Sequence, residues 1–156
     1  MIDSGCVVAG THSGCGKTTV TLALMAALAK KGIKVAPFKV GPDFIDPGHH
    51  AVVTGRTSYN LDGWMVPEAE NRSLFHRKCE GADMAVVEGV MGLFDGAAAA
   101  LSPGSALPRD FASTAHVARL LDAPVVLVVD ASGVSASVAA LLHGFVTFDP
   151  RVRVGG

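Results

Sequence analysis

The chain alternates short apolar runs with longer stretches of helical period. Cys6–Ala9 reads as a buried strand and Lys17–Lys31 as the helix after it. That helix would carry Val20, Ala23, Leu24, Ala27 and Leu28 on one face, with Gly32 as its C-cap. Ile33–Val40 predicts a second strand, stopped by Gly41-Pro42. Pro67–Cys79 predicts a helix with proline in its first turn. Met84–Val87 predicts a third strand, Ser113–Leu121 a helix, and Val125–Val129 a strand entered through Pro124. A final helix carries Val134, Val138, Leu141, Leu142 and Phe145 at helical spacing, and the Leu and Ala patches of all these helices are expected in the core. Alternating strands and helices with β-branched strands predict an α/β fold, a parallel sheet covered by helices on both faces.

Between these elements, Gly92–Pro108 is rich in Gly, Ala, Ser and Pro and reads as a mobile surface loop. No internal repeat or linker divides the chain, so residues 1–156 are expected to form a single domain. Arg151–Gly156 looks like the approach to one more strand, and the chain is therefore expected to be a fragment.

Composition narrows the classes of function. With 49% hydrophobic and 17% charged residues, the chain has enough apolar material for a packed core. Thirteen basic against fourteen acidic residues leave a charge of −1 and no basic stripe, which argues against nucleic-acid or membrane-surface partners. Cys6, Cys15 and Cys79 show no zinc-ligand spacing, and their odd number suits a reducing compartment. Met1-Ile2-Asp3 lacks a basic leader, and no apolar run is long enough to span a bilayer, so a cytoplasmic protein is expected.

Chemistry-bearing residues gather where the predicted strands end, which is where parallel sheets bind ligands. Gly10-Thr11-His12-Ser13-Gly14-Cys15-Gly16-Lys17-Thr18 joins a strand to a helix, the context of a phosphate-binding loop. Its glycines let backbone N–H groups turn around phosphate oxygens, and the helix N-terminus adds its positive end. Lys17 would reach the outer phosphates and Thr18 would ligate Mg²⁺; Thr11 stands where the strict pattern has glycine. Cys15 reads as a small filler, with a redox thiol as the rival reading. The next strand ends in Lys39, Asp43 and Asp46, the following one in Glu88, and the last in Asp130. A hard cation held by Thr18 and phosphates needs one or two carboxylates, so Asp43 and Glu88 are candidates; a turn-capping role is the rival for Asp43. Glu88 directly follows Met84-Ala85-Val86-Val87, where an unpaired buried charge would be costly. His49-His50 point in different directions and read as solvated loop or substrate contacts, while His12 and His143 read as ordinary residues.

Taken together, Gly10–Thr18, Pro37-Phe38-Lys39-Val40-Gly41-Pro42-Asp43-Phe44-Ile45-Asp46-Pro47, Asn60-Leu61-Asp62, Val87–Gly96 and Ser113–Ala118 resemble the cobyrinic acid a,c-diamide synthases. The loop is also similar to that of dethiobiotin synthetase. The resemblance implies a P-loop NTPase-type, dethiobiotin synthetase-like sheet. It also implies an ATP- and Mg²⁺-dependent ligase that converts the a and c acetates of a corrinoid to carboxamides, through an acyl phosphate and glutamine-derived ammonia. It assigns nucleotide contacts to Thr11, His12, Ser13, Gly14, Cys15, Gly16, Lys17, Thr18 and Thr19, and the magnesium side to Thr18, Asp43 and Glu88. Lys17, Asp46 and Lys39 become catalytic candidates; Asp46, Asp62 and Asp95 become substrate-side candidates. The glutamine-hydrolysing domain of such enzymes has no counterpart in these residues, so ammonia would come from elsewhere; a homodimer is allowed. Nickel-sirohydrochlorin a,c-diamide synthases share nearly the same motifs. ATPase switches of the partitioning and division-positioning type share the loop, but usually with an extra early lysine where Thr11, His12 and Ser13 stand here.

Overall fold

The computed structural model describes residues 5–156. In chain order the elements are β1 (Gly5–Gly10), α1 (Lys17–Lys30), β2 (Val35–Val40), α2 (Asp46–Thr54), β3 (Tyr59–Leu61), α3 (Glu68–Lys78), β4 (Met84–Glu88), α4 (Thr114–Leu120), β5 (Val125–Val128) and α5 (Ser137–Phe148). The strands form one parallel sheet in the order β3-β2-β4-β1-β5. Beyond α5 the chain returns to the sheet, and Val154 pairs in parallel with Val125 on β5.

Side-chain alternation divides the core in two, as a sheet covered on both faces requires. Val7, Ala9, Ala36, Phe38, Val40, Ala85 and Val87 face α3, α4 and the inner edge of α5. Cys6, Val8, Val35 and Val86 face α1 and α2, against Met25, Leu24, Leu28 and Val53. By the same period of two, Lys39 and Glu88 share the face of Val35 and Val86. Two charged side chains are thereby sent into the layer occupied by α1 and α2.

Several expectations change. The buried stripe of α1 is Lys17, Thr21 and Met25, whereas Val20 is 40% exposed and Ala23 and Ala27 are exposed. The helix is apolar almost all round, so its composition does not single out a face. In α5 no residue is fully buried: Leu142 and Phe145 are half-covered, while Val134 lies outside the helix and Phe148 is 72% exposed. Two elements lie outside the pattern's predictions, α2 and the three-residue β3. Segment 92–108 is partly built rather than featureless, with a 3₁₀ turn at Ala98–Leu101 and Leu93 in the core. Among the described residues, no helix is long and apolar enough to cross a membrane.

Candidate functional site

Three neighbouring strands, β1, β4 and β2, end side by side, and the site is built across them. The loop after β1 turns through Gly14 and Gly16, whose φ values of 84° and 96° belong to the left-handed region that side chains resist. Gly10 serves a different need. A Cβ there would overlap Cys15 Sγ and come within 2.9 Å of Lys17 Cδ, so the loop closes only over a bare backbone. Cys15 is buried and fills that space, in keeping with its reading as filler. Burial raises the Cys6 thiol and pushes Cys79 to about 11, so neither is primed as a thiolate. Lys17 opens α1 and arches back, its Nζ donating to the His12 carbonyl at 3.0 Å.

Parallel register sets Lys39 level with Glu88 on the adjacent strand. Lys39 Nζ lies 2.6 Å from Asp46 Oδ2 and 3.0 Å from Glu88 Oε1, and also donates to the Gly89 carbonyl at 3.1 Å. Burial opposes the charge on Lys39, but the hydrogen bond to Asp46 and the field of Glu88 outweigh it and hold the ammonium above its ordinary value. Glu88 is fully buried, yet each carboxylate oxygen is satisfied. Thr18 Oγ1 donates to Oε1 at 2.6 Å, and Oε2 lies 2.6 Å from His50 Nε2. Burial alone would raise its carboxyl; the bonds from His50, Thr18 and Lys39 win and hold it well below the usual carboxylate range.

Helix α2 supplies the outer half of this cluster. It begins at Asp46, is started by Pro47, and carries Asp46 and His50 four residues apart on one face. Asp43 organises the entry: its Oδ1 accepts from the Ile45 and Asp46 backbone N–H groups at 2.8 and 3.0 Å. The turn-capping role is therefore real, and Asp43 also lines the site. On the far wall, Thr114 accepts from Val90 N and donates to Val90 O, both at 2.9 Å, which braces the turn after Glu88. A Cβ on Gly89 would approach Thr114 Oγ1 to 2.7 Å.

The resulting cavity holds about 420 Å³ and is lined by Ser13, Gly14, Gly16, Lys17, Thr18, Thr19, Lys39, Asp43, Asp46, Glu88, Gly89, Val90 and Met91. Most of the predicted site residues thus meet in one place. Thr11 and Asp95 instead line an adjoining groove of about 390 Å³ with Phe94, Phe145 and Phe148. Asp95 Oδ2 there accepts from Gly92 N. Asp62 does not reach the cavity: it is buried, and its Oδ1 accepts from the Trp64 and Met65 backbone N–H groups while Asn71 binds its own backbone. Asp130 is exposed and caps a turn at Ser132. A larger depression of about 770 Å³, beside the start of β4 and lined by residues such as His76, Arg77 and Glu80, carries none of this machinery.

His50 corrects the reading of the histidine pair. His49 is exposed, but His50 is completely buried between Glu88 and Ser58, not solvated. The signal in the sequence is Asp46 and His50 at helical spacing around Pro47, and it is readable only once α2 is recognised as a helix.

The donors fit a hard divalent cation in one respect only. Thr18, Glu88 and Asp43 offer oxygen ligands, but among the described residues no group of three or more His, Cys, Asp or Glu is placed to hold a metal. A magnesium ion there would complete its shell with phosphate oxygens and water, which is its ordinary habit.

Residues 6–154 match the CbiA family, described as the CobQ/CobB/MinD/ParA nucleotide binding domain. The chain is 57% identical over 150 residues to a hydrogenobyrinate a,c-diamide synthase of Streptomyces coelicolor, covering 96% of this chain and 29% of that protein. It is 54% identical over 150 residues to a cobyrinate a,c-diamide synthase of Gloeobacter violaceus, covering 96% and 31%. A hydrogenobyrinate a,c-diamide synthase of Mycobacterium tuberculosis is 55% identical over 153 residues, covering 98% and 33%. The chain therefore spans about a third of the length of the curated relatives it matches. These findings agree with the resemblance read from the motifs.

Proposed function

Since the chain belongs to the CobQ/CobB/MinD/ParA family of nucleotide-binding domains, we propose that it is the ATP-binding part of a ligase that amidates the a and c acetate carboxylates of a corrinoid. The observation that carries this reading is the Lys39–Asp46 ion pair at 2.6 Å in the wall of the phosphate cavity. A nucleotide switch needs the loop and a carboxylate on the metal side. A second charged pair beside them suits an enzyme that must also seat an acidic acceptor.

The chemistry is demanding because a carboxylate resists attack by ammonia. Transfer of the γ-phosphoryl group of ATP to the acetate oxygen makes an acyl phosphate, and ammonia then displaces phosphate to leave the carboxamide. Phosphoryl transfer depends mainly on positioning and charge neutralisation. The amides of Ser13–Thr19 and the Lys17 ammonium supply both at the phosphates. Thr18, Glu88 and Asp43 would hold Mg²⁺, which supplies further neutralisation of phosphate charge. Lys39 and Asp46 border the acceptor side, where Lys39 offsets the acetate's charge and Asp46 fixes Lys39. Ammonia would come from glutamine hydrolysed outside residues 1–156.

The test is incubation of the full-length protein with ATP, Mg²⁺ and glutamine, and separately ammonia, together with cobyrinic acid, hydrogenobyrinic acid or nickel-sirohydrochlorin. Mass shifts of two successive carboxylate-to-carboxamide conversions on a corrinoid are expected. Conversion of the nickel compound alone would replace the substrate, and ATP hydrolysis without any amidation would replace the reaction class.

A further inference from the structure

A fully buried polar contact lies behind the phosphate cavity, on the side of Glu88 that faces away from Thr18. His50 and Glu88 are both 0% exposed, and His50 Nε2 stands 2.6 Å from Oε2. A carboxylate is acceptor-only, so Nε2 carries the donated hydrogen. The other ring nitrogen lies 3.1 Å from Ser58 Oγ, which holds the ring in that orientation. Oε1, the second oxygen of the same carboxylate, is shared by Thr18 and Lys39 at the cavity floor. Glu88 is thus gripped from both ends, and only the inner grip fixes the carboxylate plane without itself touching the cavity. Lacking that grip, Oε2 would be a buried anionic oxygen with no partner, and rotation of the carboxylate would be the easiest relief.

We propose that His50 is a positioning residue for divalent-cation binding: by holding Oε2 it keeps Oε1 directed at Thr18, and so sets the affinity with which the nucleotide site takes up Mg²⁺. The proposal rests on the reading of the cavity as a Mg-nucleotide site. Ligand-orienting partners of this kind typically change metal affinity by about 10–100-fold when removed.

The experiment is a Mg²⁺ titration of ATP binding, followed by calorimetry, on the full-length protein and its His50→Ala, His50→Gln and Ser58→Ala variants, each also measured with ATP in the presence of a chelator. His50→Ala is expected to raise the half-saturating Mg²⁺ concentration by about tenfold or more, while metal-free ATP affinity stays within about twofold. His50→Gln, whose amide can still donate to Oε2, should recover most of the difference, and Ser58→Ala should show a smaller shift in the same direction. A half-saturation point unchanged in His50→Ala would overturn the proposal, as would an equal loss of metal-free ATP binding, the signature of a purely structural role. If His50→Ala does not fold, Ser58→Ala decides between the two by the same criterion. Wild-type protein that binds ATP with no response to Mg²⁺ would remove the site reading itself and this proposal with it, an outcome separate from a Mg²⁺ response that the variants leave untouched.

Discussion

Replacing Lys39 with methionine keeps the unbranched apolar stem, one atom shorter, and deletes its charge. Two carboxylates then remain without the ammonium that stands 2.6 Å from Asp46 and 3.0 Å from Glu88, and the Gly89 carbonyl loses its donor. Removing one partner of a buried ion pair costs about 3–5 kcal/mol. The lower end applies here, about 3 kcal/mol, because Asp46 is 18% exposed and can recruit water while Glu88 keeps its bonds from Thr18 and His50. Asp46→Asn provides the partner arm of a double-mutant cycle, since its side chain engages Lys39. A coupling of about 1–3 kcal/mol is expected between the two. The sign of the pH dependence follows from Glu88, whose carboxyl is held below its ordinary value in the folded protein. Stability from such a group is fully present above the unfolded pKa, about 4.3, and is lost as pH falls toward the depressed folded value. Lys39→Met shrinks that depression, so the gap between wild type and variant should be widest near neutrality and narrow as pH drops below about 4. Urea unfolding of the 156-residue chain at several pH values measures all of this. A cost below about 1 kcal/mol, or effects that add within about 0.5 kcal/mol, would refute the claim that the three charges form one unit.

Lys17→Ala should abolish calorimetrically detectable Mg-ATP binding, because no other ammonium in the cavity is free of a carboxylate partner; undiminished binding would remove Lys17 from the phosphate site. In full-length protein supplied with ammonia, Asp46→Asn should lose amidation while largely keeping nucleotide affinity, and the reverse pattern would move Asp46 to the metal side. Asp149 is bridged by Arg151 and Arg119, and the Arg151 hydrogen bonds bring its carboxyl down to about 2. Its stabilising effect is therefore present above the unfolded value, about 3.9, and disappears as pH falls toward 2. Thermal melts of Asp149→Asn across that window should show a weaker pH dependence than wild type, and parallel curves would refute the assignment.

What the sequence disclosed depended on period and on local chemistry. The β-branched runs at Val7-Val8, Val86-Val87 and Val125–Val128 announced central strands, and the glycine-rich loop with Lys17 and Thr18 needed no tertiary information to be read. Glu88 was legible for a related reason: a charge at the end of a fully apolar strand must be partnered. The misses share a cause. In α1 and α5, alanine and leucine occupy so much of the circumference that no apolar stripe stands out, and packing alone decides that Thr21 and Met25 turn inward while Leu141 does not. Helix α2 opens with Asp46-Pro47-Gly48-His49-His50, composition that resembles a turn, and β3 has three residues, too few to show a period of two. Asp62 is singled out as a carboxylate in a distinctive motif; that it sits beneath the Trp64–Met65 backbone rather than in the cavity is fixed by the Asn71 contact, which no local pattern reveals.

Parity explains why the site is buried so deeply. Along β2 and β4 every second side chain must enter the α1/α2 layer, so Lys39 and Glu88 cannot reach solvent by bending aside. Their charges have to be met by whatever those two helices present at the same level. Helix α1 offers Thr18 from its first turn and α2 offers Asp46 and His50 from one face, so the hydrogen-bond demand of Lys39 and Glu88 is met inside the layer before any ligand arrives. That arrangement also constrains mechanism. A carboxylate already satisfied by Thr18, Lys39 and His50 is a poor general base, because taking up a proton would forfeit bonds that hold it ionised. The proposed reaction asks this cavity to fix charge around a phosphoryl group rather than to move a proton, with the Lys39 ammonium, itself held by Asp46, as the group that meets an incoming acid.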